Sequence, residues 1–371
     1  YIIMNPIIDY IIEDDNTLTF NIQNINFSCI NSLRRLILSE IPCVVFETTP
    51  YEKNQATIDI NTTRFNNEIL KQRLSCIPIH ISDQSFPVDD YIMLVDKKNT
   101  TDSIIFVTTE DFQIKSLQTD KFLSKDEIRN IFPPNSITGD YIDFVRLRPN
   151  ISNMINGEQI KLSCKFIRNI PKNNFSYNVA STCAYNCIMD EDAVKIAWLQ
   201  IEKEHKSKNI NSQEIEYLKK DFMSLDAKRF VVKNYFKFTL ETIGIYTNFR
   251  LIELACLIIN KKLSNLLNKI QSNNDLITKS NNTMENCFDI ILENEDYTIG
   301  KILEYMLYEK YFEESKELSY CGFIKKHPHD LDSIIRLTFK EDVSNDLIIT
   351  YLTDCVKRLQ EIFIKIKDEF K

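Results

Sequence analysis

The sequence predicts an α+β chain in which one half-buried module occurs twice, the copies pairing around a pseudo-twofold axis. A β-rich subdomain interrupts the first copy. Three observations carry this. Residues 16–80 with 230–270 read as strand, helix, strand, strand, long helix, broken by inserts, and residues 286–370 repeat that series unbroken. Each copy closes on an apolar-striped helix of about five or six turns, longer than one small sheet covers. The stretch from about Ser82 to Asn178, inside the first copy, is rich in short β-type runs. The expected boundaries are 1–82 plus 179–272 for the first module, with a helical insertion at about 190–228, then 83–178 for the subdomain, 273–286 for a linker and 287–371 for the second module.

Leu18, Phe20 and Ile22 alternate with Thr19 and Asn21, the pattern of a half-buried strand. Phe27, Ile30, Leu33 and Ile37 follow helical spacing, and Pro42 stops that helix. Cys43–Phe46 and Thr57–Ile60 read as short strands, and Asn67–Leu74 as a short helix before Pro78. Further on, Tyr91–Val95, Ser103–Thr108, Tyr141–Arg148 and Gln159–Phe166 are β-type runs punctuated by Pro133–Pro134 and Asn156–Gly157. Residues 190–228 read as a charged, solvated helical hairpin with a Lys-rich break at Lys203–Lys208. Phe236, Phe238 and Leu240 alternate up to Gly244, and a long helix follows from about Asn248. Gln271–Asn286 is polar and reads as a linker.

In the second copy Phe288, Ile290 and Leu292 alternate as Leu18, Phe20 and Ile22 do. Thr298 is a candidate N-cap. Ile299, Ile302, Leu303 and Met306 make a helical face, Tyr320–Ile324 and Ile335–Phe339 are strands, and Leu352, Cys355, Leu359, Ile362 and Ile366 form one stripe. Helix against helix is the expected seam between modules, with Phe27, Ile30, Leu33 and Ile37 on one side. Two independent small domains on a string are the alternative.

Composition narrows function. The net charge is −8, so no basic footprint for duplex DNA exists at the whole-chain level. No apolar run approaches the ~20 residues of a membrane span. Tyr1–Asp15 has early carboxylates and no basic segment, so it does not read as a signal peptide, and Met4 leaves the natural start open. The ten cysteines read as reduced thiols. The five glycines are too scattered to build a phosphate-cradling loop. Cys183 and Cys187 offer one loose pair where a zinc site needs two, so no metal ligand or cofactor is assigned. His80, His205, His327 and His329 sit near no nucleophile motif, and no catalytic residue is assigned.

Asn31–Ser32–Leu33–Arg34–Arg35 with Glu40–Ile41–Pro42, and Glu68–Ile69–Leu70 with Arg73–Leu74 and Ile77–Pro78–Ile79, resemble the α-subunit N-terminal-domain family of cellular RNA polymerases. Phe144–Asn150, Ser181–Tyr185 and Phe238–Gly244 are similar to later blocks of the eukaryotic third subunit or archaeal D subunit. Asp296–Gly300, Cys321–Phe323 and His327–Pro328 resemble the eleventh subunit, or archaeal L. One chain holding both resembles the fused subunit of large DNA viruses.

The resemblance implies a non-catalytic assembly platform that docks the largest and second-largest subunits, with small zinc-bearing subunits nearby and no direct duplex or membrane binding. It implies that Asn31, Arg34, Arg35 and Arg73 face the second-largest subunit. It places a viral chain in host cytoplasm or virion, and otherwise in nucleus or cytoplasm with the polymerase. Tyr297 and Lys301 stand where the family usually has His and Asn. No cysteine lies between Cys76 and Cys164, where some relatives carry a metal cluster. The rival readings are a free-standing nucleic-acid-binding transcription regulator, which needs a basic stripe, and a hydrolase, which needs a Cys or Ser beside a histidine.

Overall fold

The computed structural model describes residues 4–150, 156–208, 210–280 and 284–371. Tyr1–Ile3, at the head of the segment expected not to be a signal peptide, and linker residues 281–283 lie outside the described residues. Two compact units emerge. One comprises Tyr1–Leu36, Thr182–Glu241 and Ile252–Lys371, and the other Ile37–Ser181 and Thr242–Leu251.

In chain order, β1 (Ile7–Asp14) turns at Asp15, in the left-handed region, into β2 (Thr17–Gln23), and α1 (Phe27–Ser39) follows. Next come β3 (Cys43–Val45), β4 (Ala56–Asn61), α2 (Asn67–Ser75), β5 (Tyr91–Lys98), β6 (Ile105–Thr108), β7 (Gln113–Ser116), α3 (Lys125–Ile131), β8 (Asp143–Leu147), β9 (Gln159–Lys165) and β10 (Ile167–Asn169). The chain continues through β11 (Ala180–Met189), α4 (Glu191–Ser207), α5 (Ser212–Ser224), β12 (Val231–Thr242) and α6 (Asn248–Ser272). It ends with β13 (Ile277–Lys279), β14 (Cys287–Leu292), α7 (Tyr297–Leu307), β15 (Leu318–Ile324), β16 (Ser333–Phe339) and α8 (Asn345–Glu369).

The first unit holds two four-stranded sheets of matching order, β1-β2-β12-β11 and β13-β14-β16-β15. Alternation sets their registers. Leu18, Phe20 and Ile22 lie opposite Leu240, Phe238 and Phe236, all buried. Phe288 and Ile290 lie opposite Leu337 and Ile335 in the same way. The strand-to-helix corners repeat too. Asn24 and Asn294 both have positive φ, which asparagine tolerates. Two residues later Asn26 Oδ1 accepts from the Ser28 amide at 2.8 Å, and Asp296 Oδ1 from the Thr298 amide at 2.9 Å. Each cap satisfies an amide that the first helical turn leaves without a partner. The N-cap of α7 is therefore Asp296, not Thr298 as its hydroxyl suggested.

The stripes on α1, α7 and α8 are buried except at Phe27, which is 61% exposed. The buried face of α1 starts with Cys29 and Ile30 instead. α7 runs on into a π-helical stretch, Tyr308–Glu314, where Tyr311 stacks on Tyr351 at 3.8 Å. α4 and α5 form a hairpin around Val194, Trp198, Phe222 and Ala227. The expected break at Lys203–Lys208 falls later. α4 continues to Ser207, and Lys206 pairs with Glu202 one turn back.

The second unit is built from the sheet β4-β9-β5-β7 and the pairs β6-β8 and β10-β3. Its core gathers Phe46, Phe112, Phe132, Phe144 and Phe166. Val44, Ala56, Leu70, Leu74, Ile77 and Ile79 belong to the same core. The interrupting unit therefore starts at Ile37, not at 83, and β3, β4 and α2 go with it. The first-copy counterpart of β15 is β11, not Cys43–Phe46 or Thr57–Ile60. The expected linker contributes β13, which pairs with β14. In this second unit Gly244 has φ +99, and a Cβ there would meet His80 Nε2 at 3.2 Å.

Candidate assembly interface

Within the first unit, the two sheet-and-helix repeats are bonded to each other across more than two hundred residues of sequence. Ser32, on the buried face of α1, donates its hydroxyl to the Thr298 carbonyl at 2.6 Å. One turn on, Arg35 Nε donates to Thr298 Oγ1 and Nη2 to Asp296 Oδ2, each at 2.9 Å. Ser32 and Thr298 are nearly inaccessible to solvent, whereas Arg35 and Asp296 are partly shielded. Asp296 thus caps α7 with one oxygen and binds an arginine of α1 with the other. A cation is not the natural neighbour of a helix N-terminus, and the carboxylate between them resolves that conflict.

The long helices are tied as well. Gln360 of α8 donates Nε2 to the Asn260 carbonyl at 3.2 Å and to Ser264 Oγ at 2.8 Å on α6. Lys262 of α6 pairs with Glu295 at 3.1 Å, and Lys269 with Glu293 at 3.2 Å. The ring of Phe370, just past α8, meets Phe20 of β2 edge-on at 4.8 Å. Ile30, Leu33, Ile299, Ile302, Leu303, Met306, Leu352, Cys355, Leu359, Ile362 and Ile366 are all buried in this unit. Each such aliphatic side chain contributes about 1.5–3 kcal/mol, so apolar burial outweighs the polar ties, which chiefly set register.

The four residues expected to face a large subunit fall in both units, Asn31, Arg34 and Arg35 in the first and Arg73 in the second. Arg35 has spent its guanidinium inside the chain. Arg34 Nε donates to Asn31 Oδ1 at 3.0 Å, so those two share one partly exposed face of α1. Arg73 belongs to the other unit, where Nε and Nη2 each donate at 2.7 Å to the Phe144 and Asp143 carbonyls and fasten α2 to β8. Ile37 is buried and also falls in that unit by the division of the chain. Tyr297 and Lys301 both pack on Phe323, the ring of Tyr297 at 5.2 Å and the ammonium of Lys301 at 5.7 Å. The helix start they flank is held by Asp296.

Sequence reasoning missed Ser32, Asn260, Ser264 and Gln360 as seam residues. The available signal was a polar residue at a buried helical position, as Ser32 is beside Leu33.

Burial pushes the thiols of Cys29, Cys43, Cys164 and Cys183 up to about 12, which keeps them protonated and unreactive. Among the described residues no three His, Cys, Asp or Glu side chains gather to hold a metal ion, and no helix is long and apolar enough to cross a membrane.

Two four-stranded sheets of one strand order are tied to each other through helix starts and long helices within the first unit. The RNA polymerase Rpb3/Rpb11 dimerisation domain matches residues 19–263, and the chain belongs to that family. It is 23% identical over 278 residues to DNA-directed RNA polymerase subunit Rpo3 of Methanosphaera stadtmanae, covering 69% of this chain and 95% of that one. It is 27% identical over 195 residues to the Dictyostelium discoideum subunit rpac1 of DNA-directed RNA polymerases I and III, covering 48% and 51%. With human RPAC1 the identity is 32% over 79 residues, 21% of each chain. The matches thus span about a fifth of the human relative and about half of the Dictyostelium one.

Proposed function

We propose that this chain is a non-catalytic assembly subunit of a multisubunit DNA-directed RNA polymerase. In this reading a third-subunit-like and an eleventh-subunit-like module pair internally around a pseudo-twofold and dock the two largest subunits. The observation that carries it is the bonding of Ser32 and Arg35 to Thr298 and Asp296 between two sheets of the same strand order. Family membership supports association with other polymerase subunits. Carriage of both modules in one chain resembles the fused subunit of large DNA viruses, so a viral enzyme is the source this reading favours.

In this reading neighbouring arginines do different work. Arg35 closes the internal pair, while Arg34 with Asn31 is offered to the second-largest subunit. Arginine suits such a contact through its planar five-donor fork. The test is co-purification of co-expressed large subunits with this chain. Arg34→Glu is expected to abolish recovery of the second-largest subunit while the chain keeps its thermal stability. Undiminished recovery removes Arg34 from that interface, and failure of the wild-type chain to recover either large subunit removes the function.

A further inference from the structure

Two sheets of one strand order have equivalent edges, β1 in the first and β13 in the second. The two edges are built differently. β13 is three residues long, with Ile277 buried and Lys279 exposed. A short strand carrying lysine is how natural sheets keep an edge from being paired. β1 is neither short nor lysine-bearing. It runs for eight residues and pairs with β2 alone among the described residues. It leaves Ile7, Tyr10, Ile11 and Ile12 between 42% and 71% exposed. The bulge between Asp9 and Ile12 does not withdraw them. It holds Tyr10 at φ +52, a strained setting for a bulky side chain, and no burial of the ring offsets that strain.

The charge on this edge has one sign. Asp9, Glu13, Asp14 and Asp15 lie on β1 and its turn, and no lysine or arginine lies on β1, the turn or β2. Lys237 of β12 stands in register with Asp9 through Asn21, two strands in from the edge. Where β1 meets the turn, a groove of about 580 Å³ is lined by Asp14, Asp15 and Glu241, with no cation in its lining. Glu241 also accepts from the Thr182 hydroxyl at 2.9 Å.

We infer that β1 takes a fifth strand from another polymerase subunit, an extended segment whose lysine or arginine enters the groove of Asp14, Asp15 and Glu241. The chemistry of an edge names the occupant. Alternate N–H and C=O groups of an edge strand point away from its sheet, and extended backbone matches their spacing. The carboxylates select a basic segment. They also select against a second copy of this chain, because β1 beside β1 would array like charges along one shared edge. The inference rests on the assembly reading above.

The test uses the whole polymerase, purified through this chain from cells that express all of its subunits. Hydrogen exchange compares Ile7–Asp14 in the polymerase and in the isolated full chain. A p-benzoylphenylalanine at position 10 reports the neighbour by photo-crosslinking, with Tyr217, 70% exposed on α5, as the control position. Exchange is expected to slow about tenfold or more at alternate amides of Ile7–Asp14, because those amides gain backbone partners. Position 10 is expected to crosslink to a segment of another subunit bearing Lys or Arg, and the control position is not. Asp14→Lys with Asp15→Asn, where asparagine tolerates the positive φ of the turn, should lower that crosslink about tenfold, the loss of one charge-assisted contact. An undiminished crosslink in that variant overturns the basic occupant. An assembled polymerase lacking either readout, or crosslinked only to a second copy of this chain, overturns strand addition and leaves the platform standing. A chain recovered without the large subunits removes both.

Discussion

The two repeats of the first unit reach the same sheet order by different routes. In the second, β15 follows α7 after a short π-helical stretch and turn. In the first, the equivalent step from α1 to β11 is interrupted by the whole stretch Ile37–Ser181, which forms most of a unit of its own. The strand order is unchanged. The comparison teaches that this fold is set by which faces must be buried, and that the length of a connection matters little once its ends are close. The entropy of closing a loop grows only slowly with length.

If the repeats form one cooperative body, damage to either must unfold both. Leu263 of α6 and Leu359 of α8 are fully buried. Leu263→Ala and Leu359→Ala are each expected to cost about 2–5 kcal/mol. Each should shift the same transition when urea unfolding is followed by hydrogen exchange in both repeats. Separate shifts, one repeat at a time, would break the comparison.

The seam itself is the next target. Ser32→Ala leaves a buried carbonyl without one partner and should cost about 1–2 kcal/mol. Arg35→Ala combined with Asp296→Asn, which keeps the capping oxygen and removes the charge, should show a coupling of about 0.5–1 kcal/mol, given the partial exposure of the pair. Additive effects would mean the ion pair contributes nothing between repeats.

The smallest effect is a pH dependence confined to one sheet. At equivalent register positions the first sheet has Thr19 opposite Thr239, and the second has Asp289 opposite Arg336. Arg336 donates to both Asp289 oxygens, at 2.6 and 2.7 Å. That pairing holds the Asp289 carboxyl below the usual carboxylate range. Its stabilisation is therefore complete above the unfolded value of about 3.9 and is lost as pH falls from there through the lowered folded value. Asp289→Asn should lower stability at neutral pH and flatten that acid limb, because the contribution it removes is the one lost on acidification. An unchanged acid limb would show that other carboxylates dominate it.

Much of this was legible locally. The alternations at Leu18–Ile22, Phe236–Leu240, Phe288–Leu292 and Ile335–Phe339 and the stripes of α1, α6, α7 and α8 all mark elements that the fold contains. β1 escaped because Ile7, Ile8, Tyr10, Ile11 and Ile12 do not alternate and the strand is bulged between Asp9 and Ile12. β13 escaped because a three-residue edge strand in a polar stretch leaves no periodic trace. The boundary at Ile37 was misread because Cys43–Phe46 and Thr57–Ile60 resemble strands of the repeat, and only the shared core of Phe46 with Phe132 and Phe166 assigns them elsewhere. At the site, the motif picked out Arg35 but not its partner. Asp296 lies 261 residues away, and no local pattern links a helix cap to a distant arginine.

Internal pairing is tested most directly by cutting the chain between the repeats. A protease site placed between Ser280 and Met284 separates β13 from β14 in sequence while leaving both in place. After complete cleavage the two fragments are expected to elute together as one species at the original size, and Ser32→Ala with Arg35→Ala to weaken their association. Elution of the C-terminal fragment as a separate folded species from the chain with otherwise wild-type sequence would contradict internal pairing.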